Sequence, residues 1–119
     1  MEFFTDKIVI NSIELQTQAN EQGKLQVSAK IKVRGMKNEK IWELALYISE
    51  ITVFKIPDMN SVIEFYGLYV TDHKKEGWEL ENRYELYDED QELRIVAKDI
   101  TVLEEKVIND RFWYEYLIL

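Results

Sequence analysis

His73 is the only imidazole in the chain and lies in the run Asp72-His73-Lys74-Lys75-Glu76. Of all the side chains here it is the one best suited to acid–base work near neutral pH. A catalytic histidine needs a nucleophile to serve or a carboxylate to orient it, and a metal centre needs several nitrogen or sulfur ligands. Asp72 adjoins it in sequence, but neighbours on a strand or tight loop rarely face one another. His73 is therefore read as a solvated loop residue. The chain has no cysteine, which removes thiolate nucleophiles, thiolate metal sites and disulfides.

The carboxylates are the next candidates. Glu79, Glu81 and Glu85 share one face of a predicted strand. Paired carboxylates act as general acid and base when they converge on a cleft, roughly 5 to 10 Å apart. With 23 acidic residues in the chain, such a coincidence is expected by chance, so no catalytic pair is assigned. Asp88-Glu89-Asp90-Gln91-Glu92 offers the oxygen ligands that Ca²⁺ and Mg²⁺ prefer, but without the glycine or the ligand register of a calcium loop. It reads as a charged hairpin tip. There is no Gly-rich phosphate loop and no serine in a nucleophile motif. The expectation is a protein that is not an enzyme, with no catalytic residue, no metal site and no cofactor.

Charge says more than chemistry does. The net charge of −8 opposes binding to nucleic acid and to anionic membranes, and favours a basic protein partner. Residues 22–38 hold five bases (Lys24, Lys30, Lys32, Arg34, Lys37) and no acid, whereas residues 76–105 hold eleven acids and three bases. Lys30, Lys32 and Arg34 form the wet face of one strand. No aromatic residue stands between them for base stacking, so they read as cross-strand partners of an acidic strand, each pair contributing about 0.2–1 kcal/mol. Glu79, Glu81, Glu85, Asp88, Glu89 and Asp90 form the candidate partner-binding surface. Basic and acidic strand faces on one chain could also meet between copies, which leaves homo-oligomerisation open.

The elements that must position these residues are mostly strands. Residues 25–34 alternate apolar and polar without a miss, the signature of a half-buried strand. A first strand over 8–17 changes phase at Asn11-Ser12, which predicts a bulge. The polar stretch 18–24, containing Gly23, turns it into the second strand. Residues 35–40 connect to 41–54, which suits a strand or, near 39–49, a short helix capped by Asn38. Pro57 marks a strand end. A strand over 62–70 is interrupted at Gly67, and 71–77 is a charged loop. Residues 78–87 and 93–103 pair as a hairpin across 88–92, with a further bulge near Lys98-Asp99. Residues 112–119 read as a central strand with Phe112, Tyr114 and Tyr116 on one face and Trp113 on the other, so deleting them should unfold or aggregate the protein. The whole is one all-β domain over 1–119, a small antiparallel barrel or strongly coiled sandwich of seven to eight strands.

The segment Val53-Phe54-Lys55-Ile56-Pro57-Asp58, followed by Glu64-Phe65-Tyr66-Gly67, resembles the middle of the YkvR-like family of small proteins from bacilli. Those proteins carry a strand that ends in an aliphatic-Pro-acid step and then an aromatic-x-Gly. The opening Ile8-Val9-Ile10-Asn11-Ser12-Ile13-Glu14-Leu15 is similar to that family's first strand, and Glu85-Leu86-Tyr87 and Asp99-Ile100-Thr101-Val102 keep its order. The likeness covers residues 8–104, with a different spacing after Pro57, and 107–119 extends past the family's usual end. It implies a compact, mainly β fold and carries over no catalytic residue.

The amino terminus lacks a basic stretch followed by a long apolar run, and no apolar run approaches the roughly 20 residues of a membrane span. A soluble, cytoplasmic protein is expected. Small size, strong acidity and absent chemistry together suit an interaction module of the antagonist or immunity type. The alternative is a carrier that encloses a small apolar ligand in an aromatic-lined barrel.

Overall fold

The computed structural model describes residues 1–59, 62–77, 79 and 82–118. Six strands form a closed antiparallel barrel in the order β1-β2-β3-β6-β5-β4. They are β1 (Glu2–Ala19), β2 (Leu25–Lys37), β3 (Lys40–Lys55), β4 (Glu64–Asp72), β5 (Tyr84–Tyr87) and β6 (Arg94–Val107). A 3-10 turn, His73–Glu76, follows β4, and a helix, α1 (Arg111–Ile118), follows β6. The all-β barrel class is as expected, but with six strands rather than seven or eight.

The carboxy-terminal segment accounts for the difference, while the choice between strand and helix at 41–54 resolves to strand. Residues 40–55 are one continuous strand, so the short helix near 39–49 is absent. The β-branched run from Ile48 onward keeps this segment extended. Asn38 does not cap a helix: Asn38 and Glu39, at φ 53° and 64°, form a two-residue hairpin turn between β2 and β3. Residues 112–119 are not a central strand either, because 111–118 are helical. Asp110 makes the helix start. Its Oδ1 accepts from the Phe112 amide at 2.9 Å and its carbonyl from the Tyr114 amide at 3.0 Å. The Arg111–Glu115 pair, 3.0 Å apart, then spans one turn.

The irregularities that let the sheet close sit close to where alternation breaks. Register shifts between Ile10 and Ser12, so Asn11 is the extra residue of β1. In β6 the inward face passes from Ile95 and Ala97 to Ile100, and Glu50 on β3 lies across from this change at φ 53°. The register itself shifts at Ile51/Val53 of β3 and at Ala45/Leu46, opposite β6. Gly67 bends β4 at φ 77°, opposite a further shift in β1.

Inside the barrel, one cluster of branched aliphatic side chains from all the strands fills the centre. Ile8, Leu46, Ile48, Leu68 and Ile95 have no exposed surface. Gly35 lets this packing close: a Cβ there would come within 2.7 Å of Ile8 Cδ1 and 2.9 Å of Phe4 Cδ1. Among the fourteen residues of the cluster only Phe4 and Phe65 are aromatic, so the interior is not the aromatic-lined chamber a carrier would use. No described tyrosine or tryptophan belongs to the cluster itself, although Trp42 packs against it. No helix among the described residues is long and apolar enough to cross a membrane.

Candidate partner-binding surface

The barrel divides the predicted acidic surface in two. β5 is four residues long, about 13 Å at 3.3 Å per residue. Glu79 precedes it and Glu89 and Asp90 follow it, so these exposed carboxylates stand at opposite ends of the strand. Glu81 lies outside the described residues, as do Trp78 and Leu80 of the predicted strand 78–87.

Two of the predicted carboxylates are used internally. Asp88 is buried. Its Oδ1 accepts from the Leu93 amide at 2.9 Å and its carbonyl from the Gln91 amide at 3.2 Å, which closes the tip of the β5–β6 hairpin. Glu85 is nearly buried and accepts from Arg94 Nε at 2.6 Å and from His73 Nε2 at 3.1 Å. Burial raises the Glu85 pKa. Hydrogen bonds from Arg94 and His73, with their charges, overcome that and leave it below the ordinary value.

His73 is likewise not a solvated residue; it is 7% exposed. Its Nδ1 meets Glu76 and its Nε2 meets Glu85, a pair of carboxylates that only an imidazolium can serve with two N–H donors. Burial lowers its pKa, and the two carboxylates more than reverse this, so the net shift is upward. Asp72 does not orient it. Asp72 instead binds Arg83 through both oxygens at 3.0 Å and caps the Lys74 amide, which takes its pKa down to about 2. The paired carboxylates clamp His73, and with it the 3-10 turn, to β5.

The basic strand face separates in the same manner. Arg34 meets Glu43 of β3 at 3.2 Å, a cross-strand pair, but the neighbours of β2 are β1 and β3 and not the acidic strand expected to face all three bases. Lys30 stands in register with Glu14, and Lys32 with Ser12. Glu43 itself is buried, and it also accepts from Asn11 and pairs with Lys106 at 3.3 Å. Its burial raises the pKa, yet Lys106 and Arg34 bring it below the ordinary range. Nothing in the spacing of these residues marks Glu43 as buried; α1 lies over it, with Trp113 stacked on the Arg34 guanidinium at 4.7 Å.

What remains for a partner is the end of the barrel carrying the 88–92 tip. The Glu89 amide donates to the Tyr66 carbonyl at 2.9 Å and Lys55 Nζ to the Gln91 carbonyl at 3.4 Å, so the tip is pinned on β4 and β3. Glu89, Asp90 and Glu92 are left exposed. Beside them Tyr66 is 53% exposed, and a cleft of about 310 Å³ is lined by Lys55, Ile56, Pro57, Asp58, Glu64 and Glu92. The charge of Glu89, with that of Glu2, adds to burial in raising the pKa of Tyr69, which stacks on Tyr87 at 5.7 Å. No group of three or more metal-ligating side chains converges among the described residues.

Comparison with family models, curated proteins and solved structures finds no match to this chain, and so nothing in it bears on the YkvR-like resemblance.

Proposed function

We propose that this barrel is a non-enzymatic binding module of the antagonist or immunity type, working in the cytoplasm on a basic protein partner. The reading is carried by one observation: Glu89, Asp90 and Glu92 stand outward on a pinned tip beside exposed Tyr66, while Glu85 and Asp88 are committed to the fold. An aromatic centre with a charged rim is the composition of a protein-binding patch, and unpaired acids steer a cationic target at long range. Arg34 is already engaged by Glu43 and by the Trp113 ring of α1, which leaves it less available to a partner than the acidic tip.

The test is capture of a partner from cells of origin on the immobilised protein at low and high salt. The triple variant E89K/E92K/D90K serves as control. The native protein is expected to retain a basic protein at low salt, to release it at high salt, and to lose it on charge reversal. Retention by the reversed variant, or no capture at either salt, overturns the reading.

A further inference from the structure

The edge of β1 points to a surface with a different occupant. Beyond Val9, β1 leaves β4 after one more bond, from the Ile10 amide to the Ile63 carbonyl at 2.9 Å, and residues 12–19 pair with β2 alone among the described residues. Over that stretch only Ile13 is even partly buried. β2 in turn leaves β3 after the Ala29–Ile48 pair, so residues 25–28 have β1 as their only strand neighbour among the described residues. A two-stranded ribbon with no third strand is marginal in water. This one also exposes the continuation of the core face: Leu15 is 55% exposed, Leu25 71% and Val27 38%.

Sheet edges are usually guarded by charges, prolines or bulges. Residues 98–107 of β6, another stretch with a single strand neighbour among the described residues, carry five charges and a register shift. Residues 12–19 hold one charge, Glu14, no proline, and an unbroken register with β2. We propose that this edge pairs with the same edge of a second copy, antiparallel about Leu15, joining two barrels through a continuous sheet.

The sequence of the edge is self-complementary in that register. Leu15 faces Leu15 of the second copy, Ile13 faces Thr17, Glu14 faces Gln16, and Ser12 faces Gln18. No like charges oppose one another, as a two-fold contact requires. The same operation about Val102 of β6 would set Lys98 against Lys106 and Asp99 against Glu105. The field agrees: residues 1–40 hold seven bases and five acids, so two copies of an acidic chain meet here through their least negative part. This contact is independent of the acidic tip.

Two measurements decide it. Light scattering from about 1 µM to about 1 mM, the span in which weak contacts are read, is expected to rise from 14.3 kDa toward twice that mass. L15E, at an exposed position, should melt like the native protein and stay monomeric. Because the chain has no cysteine, L15C reports the register directly. Opposed residues lie about 4.5–5.5 Å apart at Cα, within disulfide range, so mild oxidation should cross-link L15C at least about tenfold faster than L103C on β6. A native protein monomeric throughout, a dimer that survives L15E, or cross-linking of L15C no faster than L103C overturns the proposal. If L15E fails to fold, the cross-linking comparison decides alone.

Discussion

At the scale of single residues, the chain spends its titratable groups on holding itself together. His73 is the clearest case, because its two ring nitrogens meet one carboxylate on the 3-10 turn and one on β5. Its pKa is raised in the folded state, so its contribution is complete below the ordinary histidine value and is lost as pH rises through the folded one. Glu85 has the opposite sign: lowered, it contributes above the ordinary carboxylate value and loses this as pH falls through the folded one. Stability from the clamp is therefore greatest between about pH 5 and 6, between the ordinary values of the two groups. An NMR titration should place the His73 midpoint above the free-histidine value. In H73Q the fall in melting temperature between that window and pH 8 should be smaller than in the native protein. A His73 midpoint at or below the free value would contradict the clamp.

At the scale of elements, α1 decides what the outer face of the sheet can be. Val9, Ile41 and Ala45 are each at most 3% exposed yet lie outside the core cluster, on the outer side of the barrel. α1 packs on β2 and β3, Tyr116 donates to Glu64 at 3.0 Å, and Lys7 lies 4.5 Å from the Tyr116 ring. The helix is thus an outer cover and closes no gap between strands. A chain ending at Asn109 should keep the barrel, because the Ile108 amide still donates to the Ile41 carbonyl at 2.8 Å. Losing the cover from two large apolar side chains should cost roughly 3–6 kcal/mol, at about 1.5–3 kcal/mol for each one fully uncovered. Denaturant unfolding with far-UV circular dichroism measures this; loss of the β signal in the absence of denaturant would show that the helix is part of the barrel's closure after all.

At the scale of the whole molecule, the six strands share one interior and should melt as one. Leu46 of β3 and Leu68 of β4 are fully buried in the same cluster, though their strands are not neighbours in the sheet. L46A and L68A should each cost about 2–5 kcal/mol, and each should shift a single transition seen alike by fluorescence and circular dichroism. Two separated transitions in either variant would mean that the β1-β2-β3-β6 sheet and the β4–β5 closure are distinct units.

Much of this architecture is local information. The alternation at 25–34, the extra residue at Asn11, the turn at Asn20–Lys24 and the bend at Gly67 each follow from side-chain period or backbone freedom within a few residues. The aromatic run 112–116 misleads because apolar side chains on both faces fit a helix as well as a buried strand. The deciding marks were Asp110 as a cap and the Arg111–Glu115 spacing. Chain order alone thus determined a β-rich, acidic, cysteine-free domain with an extra residue at Asn11 and a bend at Gly67, but not the register shifts between β3 and β6. Only tertiary packing decided which acids are available, since Glu43, Glu85 and Asp88 differ from Glu89 and Asp90 in their neighbours and not in their type. Those neighbours come from strands and a helix distant in sequence, and desolvation and hydrogen bonding depend on that company.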